Sequence, residues 1–375
     1  MSYRFDQMVS WRRHFHMYPE RSNEEFQTTK RLKAILRDMD VSILDVPLQT
    51  GLIAEVGQGD SMIAIRSDID ALPIHEQATV AFKSRTEGVM HACGHDIHMA
   101  SVLGTVERLK TMESKLNGRV RIIFQASEEL GFGADRVVET GVLNGAKAIL
   151  GFHNDPTLKV GQWRSKIEIM TSNVDRFKII VHAKGAHAAM PQDAKDPSII
   201  VAQLIQSFQS IVSRNIAPYE EAVVTIGQIH SGQTWNVIPD HAIVEGTVRT
   251  FDHDTQLKVE TRMKQICKGV ATQFDAKVDL EYLKITKAVN NEEALHQLAV
   301  HAAKEAGYDV AELVRPLTIG EDFSGYQAIA PSYFAMIGSE SDYPLHHPLY
   351  QPDERIFENV TDYFVNAIQL ILKSS

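Results

Sequence analysis

The stretch HACGHDIHMA, residues 91–100, places His91, His95, His98, Asp96 and Cys93 within ten positions. Cys93 and His95 are separated by one residue, so an irregular loop can bring both side chains to one ion. A thiolate with an imidazole is a borderline-soft donor pair that suits zinc, and with carboxylates added it also suits cobalt, nickel or manganese. The same residues are also compatible with a redox thiol, with a polar loop that binds nothing, or with Cys93 as a small buried hydrophobe. Further donors stand elsewhere in the chain. QASEEL brings adjacent Glu128 and Glu129 to the end of an apolar run, where neighbouring side chains diverge. One carboxylate there can bind metal while the other faces a substrate. His153 ends the apolar run AILGF, and PLHHPLY supplies His346 and His347.

Such donors converge only if the elements carrying them end at one place. SMIAIRSDID (61–70), RVRIIFQASEE (119–129) and AKAILGFHND (146–155) are apolar runs that finish in acids, histidine or asparagine. Helical periodicity marks 25–39 before them and 96–112 between the first two. Apolar strands alternating with helices predict an α/β domain with a mostly parallel sheet and helices on both faces. Ligands of such sheets bind outside the carboxyl ends of the strands, where Asp68, Asp70, Glu128, Glu129 and His153 are expected. From about 173 to 285 the pattern changes to β-α-β-β-α-β, the order of a ferredoxin-like α+β unit. Its first helix opens with Asp196 at the N-cap and Pro197 at the first turn, and carries Ile200, Leu204, Phe208 and Ile211 as a stripe. Helix and strand patterns resume near Asn290, with PSYFAMIG the clearest strand. The expected organisation is therefore residues 1–172 and 286–375 as one domain, with 173–285 inserted into it.

The totals narrow the classes of function. A chain of 375 residues exceeds the usual size of a single core, which favours two domains. Hydrophobic content of 44% and charged content of 23% are ordinary for a soluble globular protein. A net charge of −10 argues against nucleic acid or an anionic membrane as partner. No run of about 18 apolar residues predicts a membrane helix. MSYRFDQMVSWRRHF lacks the apolar stretch of a signal peptide, and ILKSS is no retention address. Cys93 and Cys267 make no disulfide framework, so a reducing cytoplasm is the expected location.

WRRHFHMYPE, HACGHDIHMA, FQASEE, GFHNDP, GAHAAMP, WNVIPD, GTVR, GEDF, LHHP and QPDE occur in this order. Together they resemble the co-catalytic metal amidohydrolases that include hippurate hydrolases, auxin–amino-acid conjugate hydrolases and N-acetyl-diaminopimelate deacetylases. These are a branch of the metallo-aminoacylase and carboxypeptidase superfamily. The resemblance runs from about Trp11 to about Glu354. It implies metal ligands at Cys93, His95, Glu129, His153 and His346, and a general base at Glu128. It implies that His187, in the inserted lid domain, donates to the developing oxyanion and in dimeric relatives reaches the partner's site. Asn236 and Arg249 match lid positions that grip the substrate's polar end, where a guanidinium fork suits a carboxylate.

Five ligands are too many for one tetrahedral ion, so two divalent ions (zinc, manganese, nickel or cobalt) sharing a bridging group are expected. The Cys93 thiolate is one candidate for the bridge. The implied reaction is hydrolysis of the amide in an N-acetyl or aromatic N-acyl amino acid by a metal-bound hydroxide. His91, His98 and His347 are read as supporting or structural groups, and Asp70 and Asp96 as orienters of ligand histidines. A homodimer through the lid's exposed sheet edge follows from the same resemblance.

The chain departs from the family pattern at Ala126 and Ser127, at LGFGA, at GAH, at Gln192 and at PERSNEE. These bear on substrate choice, since every expected ligand and the base are present. Leu130, Phe132 and Trp235 suit either an apolar acyl pocket or packing. The rival readings are a dipeptidase, aminopeptidase or carboxypeptidase using the same site, and a non-catalytic metal-binding or ligand-sensing protein. A thiol enzyme centred on Cys93 lacks a second cysteine nearby.

Overall fold

The computed structural model describes residues 3–374. Two compact units divide the chain. The first comprises the chain through Met170, Val289–Arg315 and the chain from Glu321 onward; the second comprises Thr171–Ala288 and Pro316–Gly320. The first unit begins with α1 (Tyr3–Met17), α2 (Phe26–Asp38), β1 (Ser42–Ile43), β2 (Leu52–Gly57) and β3 (Met62–Asp68). It continues with α3 (His95–Thr111), β4 (Arg119–Gln125), α4 (Gly133–Glu139), β5 (Ala148–Asp155), β6 (Gln162–Ser165) and β7 (Glu168–Ile169). The second unit supplies β8 (Asn173–His182), β9 (Ala186–His187), α5 (Pro197–Asn215) and β10 (Ala222–Ser231). It goes on to β11 (Val237–Ile238), β12 (His241–Thr250), α6 (His253–Gln273) and β13 (Lys277–Thr286). The first unit resumes with β14 (Asn290–Asn291), α7 (Glu293–Glu305), β15 (Asp309–Glu312), β16 (Ser332–Gly338) and α8 (Phe357–Lys373).

The main sheet has eight strands in the order β1-β2-β4-β3-β5-β16-β6-β15. Its centre is parallel, β3 with β4 and β5 and β16 with β5, while β1–β2, β2–β4 and β6–β16 are antiparallel. β3 and β16 are buried at every residue, as continuous apolar runs in a covered parallel sheet must be. Ile65, Leu103, Val106, Phe152, Phe364 and Ile368 belong to one core that joins the sheet to α3 and α8. Because β3, β4 and β5 run parallel, their carboxyl ends at Asp68, Gln125 and Asp155 open on one edge of the sheet. The polar residues that terminate these apolar runs are thereby gathered.

The second unit is a four-stranded antiparallel sheet in the order β10-β12-β8-β13. In chain order its elements are β8-α5-β10-β12-α6-β13, the ferredoxin-like arrangement expected from the pattern. Ile200, Leu204 and Phe208 of α5 and Val259 and Met263 of α6 share a core with Phe177, Ile179, Val244 and Val248. Asp196 and Asp252 cap the two helices, accepting from the Ser198 and Thr255 amides at 2.8 Å each. β9 and β11 form a separate two-stranded ribbon. β10 is an edge strand, with Val223 and Ile229 exposed.

Candidate metal centre

The sulfur of Cys93 lies 3.3 Å from His153 Nε2 and 3.4 Å from His346 Nε2. Glu129 Oε1 is 3.7 Å from His346 Nε2 and 4.0 Å from His95 Nε2. Two triads able to hold an ion result, Cys93–His95–His153 and Cys93–Glu129–His346, with donor atoms within 4.8 Å of one another in each. They share the cysteine. The four segments that meet here are the loop before α3, the turn after β4, the end of β5 and the loop after β16. His346 adopts φ 65, a left-handed conformation uncommon for a residue with a side chain, and its amide donates to Ala92 O at 2.8 Å. That bond ties the C-terminal loop to the one carrying Cys93.

Hydrogen bonds settle which imidazole nitrogen faces inward. His95 Nδ1 lies 2.8 Å from the Asp70 carbonyl oxygen, which can only accept, so Nδ1 carries a proton and Nε2 is the nitrogen left to face an ion. His153 is fixed likewise, Nδ1 donating to Asn154 O at 2.7 Å. Asp70 in turn accepts from Ser22 Oγ at 2.7 Å and from the Glu129 amide at 3.0 Å. His98 is fully used elsewhere: Nδ1 donates to Asp68 Oδ1 at 2.6 Å and Nε2 accepts from the Asn154 amide at 3.0 Å. Asn154 passes this support on, donating to Cys93 O at 2.8 Å. Gly94 separates Cys93 from His95 at φ 84, where a Cβ would meet Asn154 Nδ2 at 2.3 Å. Only glycine fits there.

The residues fit a pair of cations by two criteria. His95 Nε2 and Glu129 Oε1 are buried and without a hydrogen-bond partner among the described residues, although both lie close to the other donors. Orphaned polar atoms of this kind are expensive unless an ion completes them. The electrostatics say the same. Burial, then Glu129, Glu128 and Asp68, push the Cys93 thiol well above its ordinary pKa. Burial, with Asp70 and Asp68 adding to it against the pull of His95, pushes Glu129 up to about 7. Burial opposes a charge on His95, but Asp68, Asp70 and Glu129 outweigh it and raise the group to about 10. Too many acceptors surround too little positive charge, and divalent ions invert that balance.

Glu128 borders both the donor cluster and a second set of acids: its carboxylate lies within 4.8 Å of donor atoms of His95 and Glu129, and also of Glu321 and Asp322. Its Oε1 accepts from the Asp322 amide at 3.4 Å. Burial, with Glu321, Glu129 and Asp322 around it, raises its pKa well above the carboxylate range. Beneath lies Arg66, fully buried in β3, which donates to Asp68 Oδ2 at 2.6 Å, Asp322 Oδ1 at 2.8 Å and Glu321 Oε1 at 3.0 Å. Its Nε donates to Gln125 Oε1 at 3.0 Å. This guanidinium ties the carboxylate that orients His98 to the acids that face Glu128. The arginine interrupting the apolar run IAIRSD was the available signal for it, and GEDF, quoted only as a motif, supplies Glu321 and Asp322.

Asp96 takes another part than the one expected. It orients no ligand histidine; it accepts from Arg12 Nε and His16 Nδ1, both at 2.9 Å, inside the first unit. One position further along the first turn of α3 from His95, its side chain leaves the donor cluster and meets α1. His91 is buried with both ring nitrogens unpartnered among the described residues, and His347 accepts from the Leu349 amide at 3.1 Å. Leu130 and Phe132 are partly exposed beside the Glu128–Glu129 turn, and the Arg136 guanidinium lies 5.0 Å over the Phe132 ring.

Within the second unit, His187 on β9 pairs with Val237, next to Asn236. Its Nδ1 accepts from the Ala189 amide at 3.1 Å, which leaves Nε2 as the protonated, donating nitrogen. Asn236 Oδ1 accepts from Thr234 Oγ1 at 3.1 Å, and Trp235 between them is 92% exposed. Arg249, on β12 and half-buried, donates to Val248 O at 3.1 Å and to Thr247 Oγ1.

A model of Peptidase family M20/M25/M40 matches residues 64–370. The chain is 40% identical over 370 residues to the N-acetylcysteine deacetylase of Bacillus subtilis (strain 168), covering 98% of this chain and 97% of that protein. It is 35% identical over 360 residues to the IAA-amino acid hydrolase ILR1-like 4 of Arabidopsis thaliana, covering 94% of this chain and 81% of that one. Among solved structures, the Bacillus subtilis YXEP protein, described as a dinuclear metal binding peptidase from the M20 family, superposes with a TM-score of 0.87 at 37% identity. That match covers 99% of both chains.

Proposed function

Since the chain belongs to peptidase family M20/M25/M40, a family of metal-dependent hydrolases, we propose that it cleaves the amide bond of small N-acyl amino acids. Two divalent ions, drawn from zinc, manganese, nickel and cobalt, would be held by Cys93, His95, Glu129, His153 and His346. The observation that carries this reading is the pair of donor triads joined at one sulfur, with a second carboxylate, Glu128, beside them and outside both.

Ions held there supply Lewis acidity toward the amide carbonyl and acidify water in their reach. Glu128 then takes the proton of the attacking water and returns it to the leaving amine. His187, with a donating Nε2, is assigned to the oxyanion, and Asn236 and Arg249 to the substrate carboxylate. A homodimer formed through the exposed edge strand β10 and a cytoplasmic location complete the reading. No described helix is long and apolar enough to cross a membrane.

The deciding experiment is a panel of N-acetyl and N-benzoyl amino acids assayed beside dipeptides, with the protein loaded with zinc or manganese. N-acetyl amino acids should be hydrolysed fastest, in line with the activity named for the Bacillus relative. Faster cleavage of dipeptides would move the assignment to a peptidase. Bound metal with no turnover anywhere on the panel would leave a non-catalytic binder.

A further inference from the structure

Glu25 stands at the N-cap position of α2, yet its side chain makes no capping hydrogen bond. That task falls to Glu20, whose carboxylate accepts from the Gln27 amide at 3.1 Å, the Thr28 amide at 2.7 Å and Thr28 Oγ1 at 2.9 Å. Glu25 is turned inward and is 0% exposed. Its Oε1 accepts from the Ser127 amide at 2.9 Å and its Oε2 from Thr50 Oγ1 at 2.7 Å. A buried carboxyl is costly to keep, and here its own helix draws no benefit from it.

The benefit lies at Ser127, the residue before Glu128. Ser127 adopts φ 60, a left-handed conformation that a residue with a side chain holds only where its surroundings impose it. The imposition is visible. Besides the amide bond to Glu25, the Ser127 hydroxyl accepts from the Asn23 amide at 3.0 Å and donates to Asn23 Oδ1 at 3.1 Å. Two residues on, the Glu129 amide is held by Asp70 at 3.0 Å. The backbone is thus gripped by a buried carboxylate on each side of Glu128.

We propose that Glu25 is a positioning residue for proton transfer: by holding the Ser127 amide it fixes the left-handed kink that aims Glu128 beside the metal ligands. This rests on the base role assigned to Glu128 above. Misplacement of a reacting group by about 1 Å can cost on the order of 100-fold in rate, so a single anchored amide has leverage on turnover.

Three variants test it. Glu25→Gln keeps an Oε1 acceptor for Ser127 and offers Thr50 an amide, so kcat should stay within roughly threefold of wild type. Glu25→Asp keeps the charge but withdraws the acceptor by one methylene. Its kcat should fall about tenfold or more, with KM within about twofold and the full complement of metal. Thr50→Val frees only Oε2 and should lower Tm without lowering kcat. A second readout needs no turnover. In metal-free protein, amide hydrogen exchange across residues 123–131 should quicken in Glu25→Asp and stay normal in Glu25→Gln. Wild-type rates and exchange in Glu25→Asp, or an equal loss in Glu25→Gln, would overturn the proposal. If the wild type hydrolyses no N-acyl amino acid, the functional reading fails, while the exchange data still decide whether Glu25 holds the turn.

Discussion

Glu128 and Glu129 both bring an oxygen near His95 but differ in their other neighbours. Glu129 turns its oxygen to His95 and His346, whereas Glu128 turns to the Asp322 amide. Substitution should therefore separate metal binding from turnover. Glu128→Gln is expected to retain both ions by elemental analysis and to lose about 100-fold or more in kcat, the usual share of a general base. Turnover near the wild-type rate would remove Glu128 from that role. Cys93→Ser should behave in the opposite way, because the sulfur belongs to both triads. Its metal content should drop, and an unchanged stoichiometry would refute ligation. Expectation and geometry diverge at Asp96: it was expected to orient a ligand histidine, but it meets Arg12 and His16 instead, because a helical step from His95 carries its side chain to another side.

The elements succeed as positioning devices because each apolar run stops where the donors begin. That made the strand ends legible in advance: the runs before Asp68, Glu128 and His153 carry their polar residues at the end that a parallel sheet turns toward ligands. Arg66 shows what was hidden. Its partners Glu321 and Asp322 lie some 250 residues away, and only the assembled sheet brings them together. No local pattern states such a pairing. The loop into α3 depends on one backbone feature, and Gly94→Ala tests it. A Cβ at φ 84 must displace Asn154, which holds both Cys93 O and the His98 ring. The variant should lose on the order of 1–3 kcal/mol in stability and bind metal more weakly, read by thermal melts with and without zinc. Unaltered melting and affinity would mean that the loop relaxes freely.

For the molecule as a whole, the donor cluster implies coupling between ions and fold. Without cations, Cys93, His95 and Glu129 leave buried groups unpartnered or held away from their ordinary protonation. Chelation should lower Tm reversibly; an ion present at 100 times its Kd contributes about 2.7 kcal/mol to folding. A Tm indifferent to chelator would argue against a built site. Assembly is tested at the same scale. Light scattering at micromolar concentration should report a dimer, and mixing Glu128→Gln with His187→Ala subunits should restore part of the activity if His187 serves the partner's site. A monomer, or no recovery on mixing, would confine catalysis to one chain.

The position of β16 carries a consequence for synthesis. This late strand is slotted between β5 and β6, inside the main sheet, and the loop after it brings His346. A nascent chain emerging from the ribosome therefore has a gap in its central layer and half a cage until nearly all of it has been translated. Premature termination before Ser332 should yield insoluble, ion-free fragments, so proteolytic quality control, rather than residual hydrolysis, would decide their fate.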